Sequence, residues 1–430
     1  MRCNSVSILI VSWNGKKLLE SCLASVLPQM KRCQLPVELW IWDNGSTDGT
    51  VPWLSKEVPE AHVVASPRNV GFSPAINELA ERASGDILLL LNNDATVGPH
   101  WLASFIECFN TSPRDVVGIA GLILNLSGTH LDFGKGILTF DGHAFQVDFG
   151  RPLTQARLPQ AGEELLFACG GNCLFERTSF LESGGFDPSY FAYLEDVDFG
   201  YRIWTEGKRI LAGSHDTVAF HRSMTSSNLL GRFRRGFLFE RNALSTIFKN
   251  FDARSRQALL PAVLLTYLSR LESLLTMEHP SGTLVRNPPI PEGGPSEAKN
   301  KAPFLERVIV RWKKDGFHGL ARALSHRLCS KWKRRHGVEL GPQGLAHFQA
   351  LASVLASLDR LEGLRQRVEQ RRVRSDQEIF SRFPLAIVPT YPGDQELFLC
   401  PAFRALLPSS LPCFYAPLAE IMAWPPGTEA

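Results

Sequence analysis

Asp187, Glu195, Asp196 and Asp198 crowd four carboxylates into one short stretch that also holds Phe186, Tyr190, Phe191, Tyr193 and Phe199. Carboxylates held close together raise one another's pKa, and a raised pKa lets one of them take a proton from a hydroxyl near neutral pH. A plainer reading is a helix start decorated with acids that suit the macrodipole. Asp198 fits that reading, because Arg202 stands at i, i+4. Asp196, in the first turn beside Glu195, is the one expected to face a substrate. Asp94 is the second candidate. It closes the triplet Asn92-Asn93-Asp94 directly after an apolar run, and a hard divalent cation holding a diphosphate needs few protein oxygens, since phosphate and water supply the rest. A lone aspartate at such a place is otherwise a turn or cap. His221 ends another apolar run before Arg222. It reads either as a hydrogen-bonded structural residue or as a further metal or diphosphate contact.

The chain from Val6 to about His221 supplies elements to position these groups. Short apolar runs alternate there with helical patterns, the signature of βαβ units and a mostly parallel sheet. The spacing predicts strands over Val6 to Val11, Val37 to Trp42, His62 to Ala65 and Ile87 to Leu91. It predicts a helix with Leu18, Leu19, Cys22, Leu23 and Val26 on one face, and another over Phe72 to Ala83 stopped by Gly85. Ligands of open α/β sheets bind beyond the carboxyl ends of the strands. At those ends stand Ser12-Trp13-Asn14, Asp43-Asn44-Gly45-Ser46-Thr47-Asp48 and Asn92-Asn93-Asp94. Gly128 to Gly162, rich in Gly, Phe and Asp, reads as a loop or hairpin insertion covering the site. Leu165 to Glu176 reads as strand-like segments around Gly170-Gly171-Asn172. Asp196 to Glu206 reads as a helix with Glu195 near its N-cap, and Arg209 to Ala212 and Thr217 to Phe220 as short strands leading to His221.

Composition narrows the class. With 430 residues, 44% apolar and 21% charged, the chain is neither disordered nor collagen-like nor a polytopic membrane protein. The net charge of +3 is too balanced to predict nucleic-acid binding. Nine cysteines without a CxxC pair fit a reduced setting, with Cys169 and Cys173 as core thiols rather than zinc ligands. The first residues run straight into a strand instead of a signal peptide, so a cytoplasmic location is expected. The apolar run Leu259 to Leu268 is broken by Pro261, and it is too short to cross a bilayer though suited to lie on one. Asp-Phe-Gly occurs at Asp132, Asp148 and Asp198, yet no HRD loop or glycine-rich loop accompanies it, so a kinase is excluded. The absence of GxxxxGK[ST] and of GxGxxG after a strand excludes a P-loop or Rossmann dinucleotide enzyme.

The ordered set of motifs resembles the inverting glycosyltransferases of family 2, with the GT-A fold, and most of all their bacterial rhamnosyltransferase-like branch. The resemblance rests on Val11-Ser12-Trp13-Asn14, Trp42 to Gly49, Arg68-Asn69-Val70-Gly71-Phe72 with Asn77, Asn92-Asn93-Asp94, Gly184-Gly185-Phe186-Asp187, Glu195-Asp196-Val197-Asp198 and His221. It covers about the first half of the chain. It implies a Rossmann-like, mostly parallel sheet flanked by helices. It further implies that Ser12, Asn14 and Asp43 face the nucleotide, Asp43 accepting from the base N3–H of uracil or thymine, while Asp48, Arg68, Asn69, Gly71, Asn77 and Asn93 shape the donor pocket. Asn92-Asn93-Asp94 stands where the family carries its metal-binding DxD, which makes Asp94, with His221, the expected ligand of Mg²⁺ or Mn²⁺. Only its last residue is acidic here. Asp196, with Glu195 beside it, matches the catalytic base, and Trp13 replaces the usual Tyr. The implied reaction moves a sugar from a UDP- or dTDP-sugar, dTDP-rhamnose among them, to a hydroxyl of a glycan or lipid-linked glycan acceptor.

Beyond Ser223 the character changes, and the reading divides the chain into a catalytic domain over 1–228, a helical extension over 229–280, a Pro/Gly-rich linker over 281–303, a basic helical region over 304–383 and a tail over 384–430 without an assigned role. Leu229 to Asn250, with Arg241-Asn242, and Arg371 to Phe383, with Arg372, Asp376 and Phe380, resemble segments of the same branch and are expected to pack on the catalytic domain. Lys301 to Arg335 carries eleven Lys/Arg against two acids, interleaved with aromatic residues. It reads as a solvated helix face or a peripheral membrane contact at the inner face of the cell membrane. Two alternatives belong to other classes. A non-catalytic nucleotide-sugar-binding protein is disfavoured by Asp94 and Glu195-Asp196 together, and a sugar-1-phosphate nucleotidyltransferase by the lack of a glycine-rich phosphate loop near Ser12 to Lys17.

Overall fold

A computed structural model describes residues 2–222, 230–277 and 342–423. The first half alternates strand and helix: β1 (Val6–Ser12), α1 (Lys16–Arg32), β2 (Val37–Asp43), α2 (Thr50–Glu57), β3 (His62–Ala65), α3 (Phe72–Arg82), β4 (Ile87–Asn92), β5 (Ala95–Val97), α4 (Trp101–Thr111) and β6 (Val116–Ala120). Short strands follow, β7 (Ile123–Asn125), β8 (Leu131–Phe133), β9 (Gly136–Leu138), β10 (Ala144–Gln146), β11 (Glu164–Leu165) and β12 (Asn172–Glu176). Then come α5 (Arg177–Glu182), α6 (Glu195–Thr205), β13 (Arg209–Ala212) and β14 (Ala219–His221). The expected α/β fold, with a helical region after it, is therefore present. The helices α2 and α4 and the strand β6 were not anticipated, and the described part of the basic helical region expected over 304–383 holds three separate helices.

Eight strands form the main sheet in the order β11-β13-β6-β12-β4-β1-β2-β3, parallel from β4 to β3. β12 runs antiparallel between β4 and β6. A strand covered on both faces must be apolar on both, and Ile87 to Leu91 are all buried. Leu88 and Leu90 enter one apolar cluster, while Ile87, Leu89 and Leu91 enter the other on the opposite face. A smaller sheet, β5-β14-β7-β8, sits at the edge of the site.

The second half comprises α7 (Gly231–Asn250), α8 (Ala253–Met277), α9 (Pro342–Ala356), α10 (Leu358–Gln370) and α11 (Asp376–Arg382), then β15 (Leu385–Ile387), α12 (Asp394–Leu399), α13 (Pro401–Arg404), β16 (Cys413–Tyr415) and α14 (Leu418–Ile421). Pro261 does not break its run, because it lies inside α8, where buried Leu259, Ala262 and Val263 hold the helix despite the lost backbone bond. Among the described residues no helix is long and apolar enough to cross a membrane. The linker over 281–303 and the basic run Lys301 to Arg335 lie outside the described residues.

The insertion Gly128 to Gly162 contains a hairpin, β9 with β10. Its tip turns to the C-terminal region. Phe140 packs edge-on against Phe398 and Phe403 with centroids at 5.5 and 5.8 Å. At Gly142, whose φ is +84°, a Cβ would collide with the carbonyl of Ala243 on α7, so the close approach requires glycine. One apolar cluster runs without interruption from Leu9 and Leu90 in the sheet through Leu244 and Leu259 to Phe398 and Phe403.

Candidate active site

Sheet register builds the site. Ser12 pairs with Asp43, and Val11 with Asn92, so the polar ends of β1, β2 and β4 lie side by side on one edge. Ser12 is buried and its Oγ accepts from Asn93 Nδ2 at 3.0 Å. Asp43, 2% exposed, accepts from Ser46 N at 2.9 Å through Oδ2, while its Oδ1 is buried without a partner. An acceptor of that kind is costly to bury unless a ligand completes it. Asn14, at a left-handed φ of +48°, accepts from Thr47 N at 2.8 Å and fastens the loop after β1 to the loop after β2.

The other residues expected at the donor pocket divide by what they touch. Arg68 is exposed at the rim. Asn69 accepts from Gly71 N at 2.9 Å, and a Cβ on Gly71 would stand 2.6 Å from the carbonyl oxygen of Phe191. Asp48 is committed elsewhere. Its carboxylate accepts from Lys16 N at 2.9 Å and from Thr50 N and Oγ1 at 3.2 and 2.5 Å, anchoring the starts of α1 and α2. Burial pushes that carboxyl up, but these hydrogen bonds outweigh it and hold it below the usual range. Asn77 likewise spends both ends of its amide on Phe186, donating to the carbonyl at 2.7 Å and accepting from N–H at 2.9 Å. Asn44 is a residue the sequence reading left out of the pocket. Buried, it accepts from Trp42 Nε1 and Val70 N and donates to Gly71 O, which ties β2 to the Asn69–Gly71 turn.

Glu195 and Asp196 open α6 after a strained approach. Phe191, Tyr193 and Leu194 all have positive φ, a state that non-glycine residues keep only where their surroundings over-determine it. Glu195 is buried with Oε2 unpartnered. Burial first, and the neighbouring Asp196 second, push its carboxyl well above the usual range. Asp196 is raised by burial as well, although amide donors at Gly170 (3.1 Å) and Val197 (2.8 Å) pull the other way. Gly171 O in turn accepts from Asn92 N at 3.0 Å, so the end of β4, the Gly170-Gly171 turn and Asp196 form one continuous run. Asp198 points into the protein, ion-paired to Lys249 at 2.6 Å and Arg202 at 3.1 Å, and its expected pairing with Arg202 is present. Burial also pushes the thiols of Cys169 and Cys173 up.

His221 bridges two carboxylates. Its Nε2 lies 3.0 Å from Asp94 Oδ1 and its Nδ1 2.8 Å from Asp132 Oδ2. Burial disfavours the charged ring, but Asp132 and Asp94 outweigh it and push the imidazole up to about 10. β14 brings His221 there by pairing with β5, opposite Ala95. Asp132 was missed by the sequence reading; its one local signal, an Asp-Phe-Gly triplet, pointed to nothing. Asn125, Leu126, Ser127, His221 and Arg222 line a shallow, open pocket beside this triad. A carboxylate and an imidazole are suitable oxygen and nitrogen donors for Mg²⁺ or Mn²⁺. Among the described residues, however, no three acidic, His or Cys side chains converge as a metal cluster, and both ring nitrogens of His221 already face carboxylates.

The model of the family described as glycosyl transferase family 2 matches residues 7–184. This segment is similar to the glycosyl transferase family 2 domain. An N-acetylglucosaminyl-diphospho-decaprenol L-rhamnosyltransferase of Mycobacterium tuberculosis is 28% identical over 221 residues, which cover 46% of this chain and 70% of that protein. An O-antigen biosynthesis protein of Myxococcus xanthus is 28% identical over 227 residues, 51% of this chain and 17% of its own length. Among solved structures, a mannosyltransferase of Pyrobaculum calidifontis in complex with GDP-Man and Mn²⁺ aligns at a TM-score of 0.44 and 15% identity, covering 83% of this chain and 88% of that one. GalNAc-T7 with UDP, GalNAc and Mn²⁺ aligns at 0.46 and 17% identity, covering 60% of this chain and half of that one. The polar strand ends and the loops around Asp43 and Asp94 lie inside the matched segment. Glu195, Asp196 and His221 lie beyond its end.

Proposed function

We propose that the chain transfers a sugar, with inversion, from a UDP- or dTDP-sugar to a hydroxyl of a lipid-linked or cell-surface polysaccharide acceptor. The observation that carries this reading is the orphaned Oδ1 of Asp43 on the same sheet edge that leads, through Asn92 and Gly170-Gly171, to the raised pair Glu195 and Asp196. Asp43 receives the base N3–H. Ser12, Asn14, Asn69, Gly71 and Asn93 shape the nucleoside side of the pocket, with Arg68 at its rim, while Asp48 and Asn77 hold the loops around it. Similarity to a rhamnosyltransferase supports dTDP-rhamnose as the first donor to test and a polyprenyl-diphosphate-linked glycan as the first acceptor.

Asp196 takes the proton of the acceptor hydroxyl. The acceptor oxygen bonds to the anomeric carbon as the carbon–oxygen bond to the diphosphate breaks, and the nucleoside diphosphate leaves with the bonding pair from the opposite face. Position and charge supply the rate. Burial raises both carboxyls of the Glu195–Asp196 pair, which makes each a stronger base than a solvated carboxylate. Asp94, and His221 once its ring is deprotonated, would hold a divalent cation, which when bound offsets negative charge on the diphosphate. In the protonated state His221 itself places positive charge on that side. Peripheral contact with the membrane that carries the acceptor belongs to the same reading.

The test is Asp196→Asn, assayed with dTDP-rhamnose and N-acetylglucosaminyl-diphospho-decaprenol. Loss of a general base lowers turnover by about 10²- to 10⁴-fold, with dTDP affinity by calorimetry within about threefold of the parent. Undiminished turnover would overturn the assignment.

A further inference from the structure

The segment that launches the base is held in place by a helix from outside the matched family segment. Asn242, fully buried on α7, donates through Nδ2 to three consecutive-region carbonyls: Tyr190 at 3.1 Å, Ala192 at 3.0 Å and Tyr193 at 2.7 Å. Its Oδ1 accepts from Arg241 Nε at 3.0 Å and Nη2 at 2.7 Å, which fixes which end of the amide faces the loop. The same guanidinium donates to Ser189 O at 2.6 Å and Tyr190 O at 3.1 Å. One turn on, Thr246 Oγ1 meets the Tyr190 hydroxyl at 2.8 Å. A further turn brings Lys249 to Asp187 at 2.8 Å and Asn250 to Asp198 at 2.8 Å. Positions 242, 246, 249 and 250 share one face of a helix, and that face grips residues 187–198 at both ends.

Those bonds explain why Phe191, Tyr193 and Leu194 keep positive φ. Three such residues in a row of four persist only under outside constraint. They also have a second attachment. The Phe191 carbonyl accepts from Phe72 N at 2.6 Å and Ser73 N at 3.3 Å, at the start of α3 and directly after Gly71. The loop thus joins the donor-side turn to the first turn of α6.

We propose that Asn242, oriented by Arg241, is the positioning residue that sets Asp196 against the donor pocket. The inference rests on the reading of Asp196 as the base. Among the described contacts, the carboxyl of Asp196 faces the Gly170 amide, with Glu195 from its own helix and the Cys169 and Cys173 thiols as titratable neighbours, and none of the α7 contacts above reaches it. Asn242 therefore acts through the backbone.

The experiment uses the full chain carrying Asn242→Ala or, where that variant does not fold, Arg241→Gln, with the donor and acceptor pair named above. Misplacing a catalytic group by about 1 Å can lower turnover by about 100-fold. We expect turnover to fall about 10- to 100-fold on that scale, with dTDP affinity within about threefold and the ascending limb of the pH–rate profile moved to lower pH. The limb moves because a loosened loop admits water to Asp196 and removes part of the burial that raises it. Amide exchange over 189–197 should rise in parallel. A variant whose rate falls with the limb in place reports loss of folded enzyme only and overturns the positioning role, as does unchanged turnover. If Asp196→Asn retains turnover, the base assignment fails instead, so the two failures are distinguishable.

Discussion

Asp43→Asn should separate affinity from stability. In the parent one oxygen accepts from Ser46 N and the other is buried without a partner. In the variant the amide oxygen keeps the Ser46 bond, because only an acceptor satisfies that N–H, and the amide NH₂ falls where the orphaned oxygen was. An acceptor facing the base has become a donor. A hydrogen bond to a charged group contributes about 1.5 to 3 kcal/mol net, and about 1.4 kcal/mol is tenfold in affinity. UDP and dTDP should then bind about 10- to 150-fold more weakly by calorimetry. CDP should gain relative to both, since the cytosine ring nitrogen accepts where uracil donates. The melting temperature of the free protein should hold or rise, because a buried carboxylate oxygen with no partner is more costly than a neutral amide. UDP and dTDP affinities within twofold of the parent, or no relative gain for CDP, would refute the role of Asp43.

Asp94→Asn should abolish the part of dTDP affinity that depends on Mn²⁺ while leaving metal-free binding within about threefold, because a neutral amide is a poor ligand for a hard cation; an unchanged response to Mn²⁺ in calorimetry would remove Asp94 from the metal site. A pH dependence of stability is expected from the buried cluster in which His143 lies 3.3 Å from both Asp141 and Glu240. Burial disfavours the charged ring, yet Glu240 and Asp141 outweigh it and push His143 up to about 10. A raised histidine contributes stability in full below its ordinary pKa of about 6.5, and loses it as pH rises toward 10, where the folded protein also gives up the proton. The melting temperature should therefore fall between pH 6.5 and 8.5, a window below most thiol titration, and fall less steeply in His143→Gln; equal slopes in parent and variant would exclude His143, leaving His221 as the raised group.

Strand ends were legible because a fully apolar run followed by Asn92-Asn93-Asp94, or an alternating one followed by Asp43-Asn44, has one reading in an open sheet. The division of labour among the polar residues was not. Asp48, Asn77 and Asp43 are alike in type and neighbourhood, and all three accept from backbone amides, yet of the three only Asp43 keeps a buried oxygen without a partner. Only geometry separates those roles, since Asn and Asp serve turns and ligands equally well. Asp132 was invisible for another reason. It reaches His221 across 89 positions in sequence, and no local pattern encodes such a pairing. The break before α11 did carry a local signal, the capping box of Ser375 with Glu378, hidden inside a pattern that looked uniformly helical.

The change of character after Ser223 reads as a boundary, but the electrostatics of the acidic cluster cross it. Four carboxylates lie between 187 and 198, and if all four stood uncompensated, their repulsion would be shared along the segment. Lys249 from α7 sits 2.8 Å from Asp187 and 2.6 Å from Asp198, and Arg202 also pairs with Asp198. Asp187 is accordingly held well below the usual carboxylate range, as Lys249 and the Ser189 hydrogen bonds outweigh its burial. No cation pairs with Glu195 or Asp196 among the described residues. Burial is thus left without a paired cation at those two, which are the first two residues of α6. Lys249, on the helix that follows Ser223, thereby divides the acidic cluster, pairing with Asp187 and Asp198 and leaving Glu195 and Asp196 without a cation among the described residues.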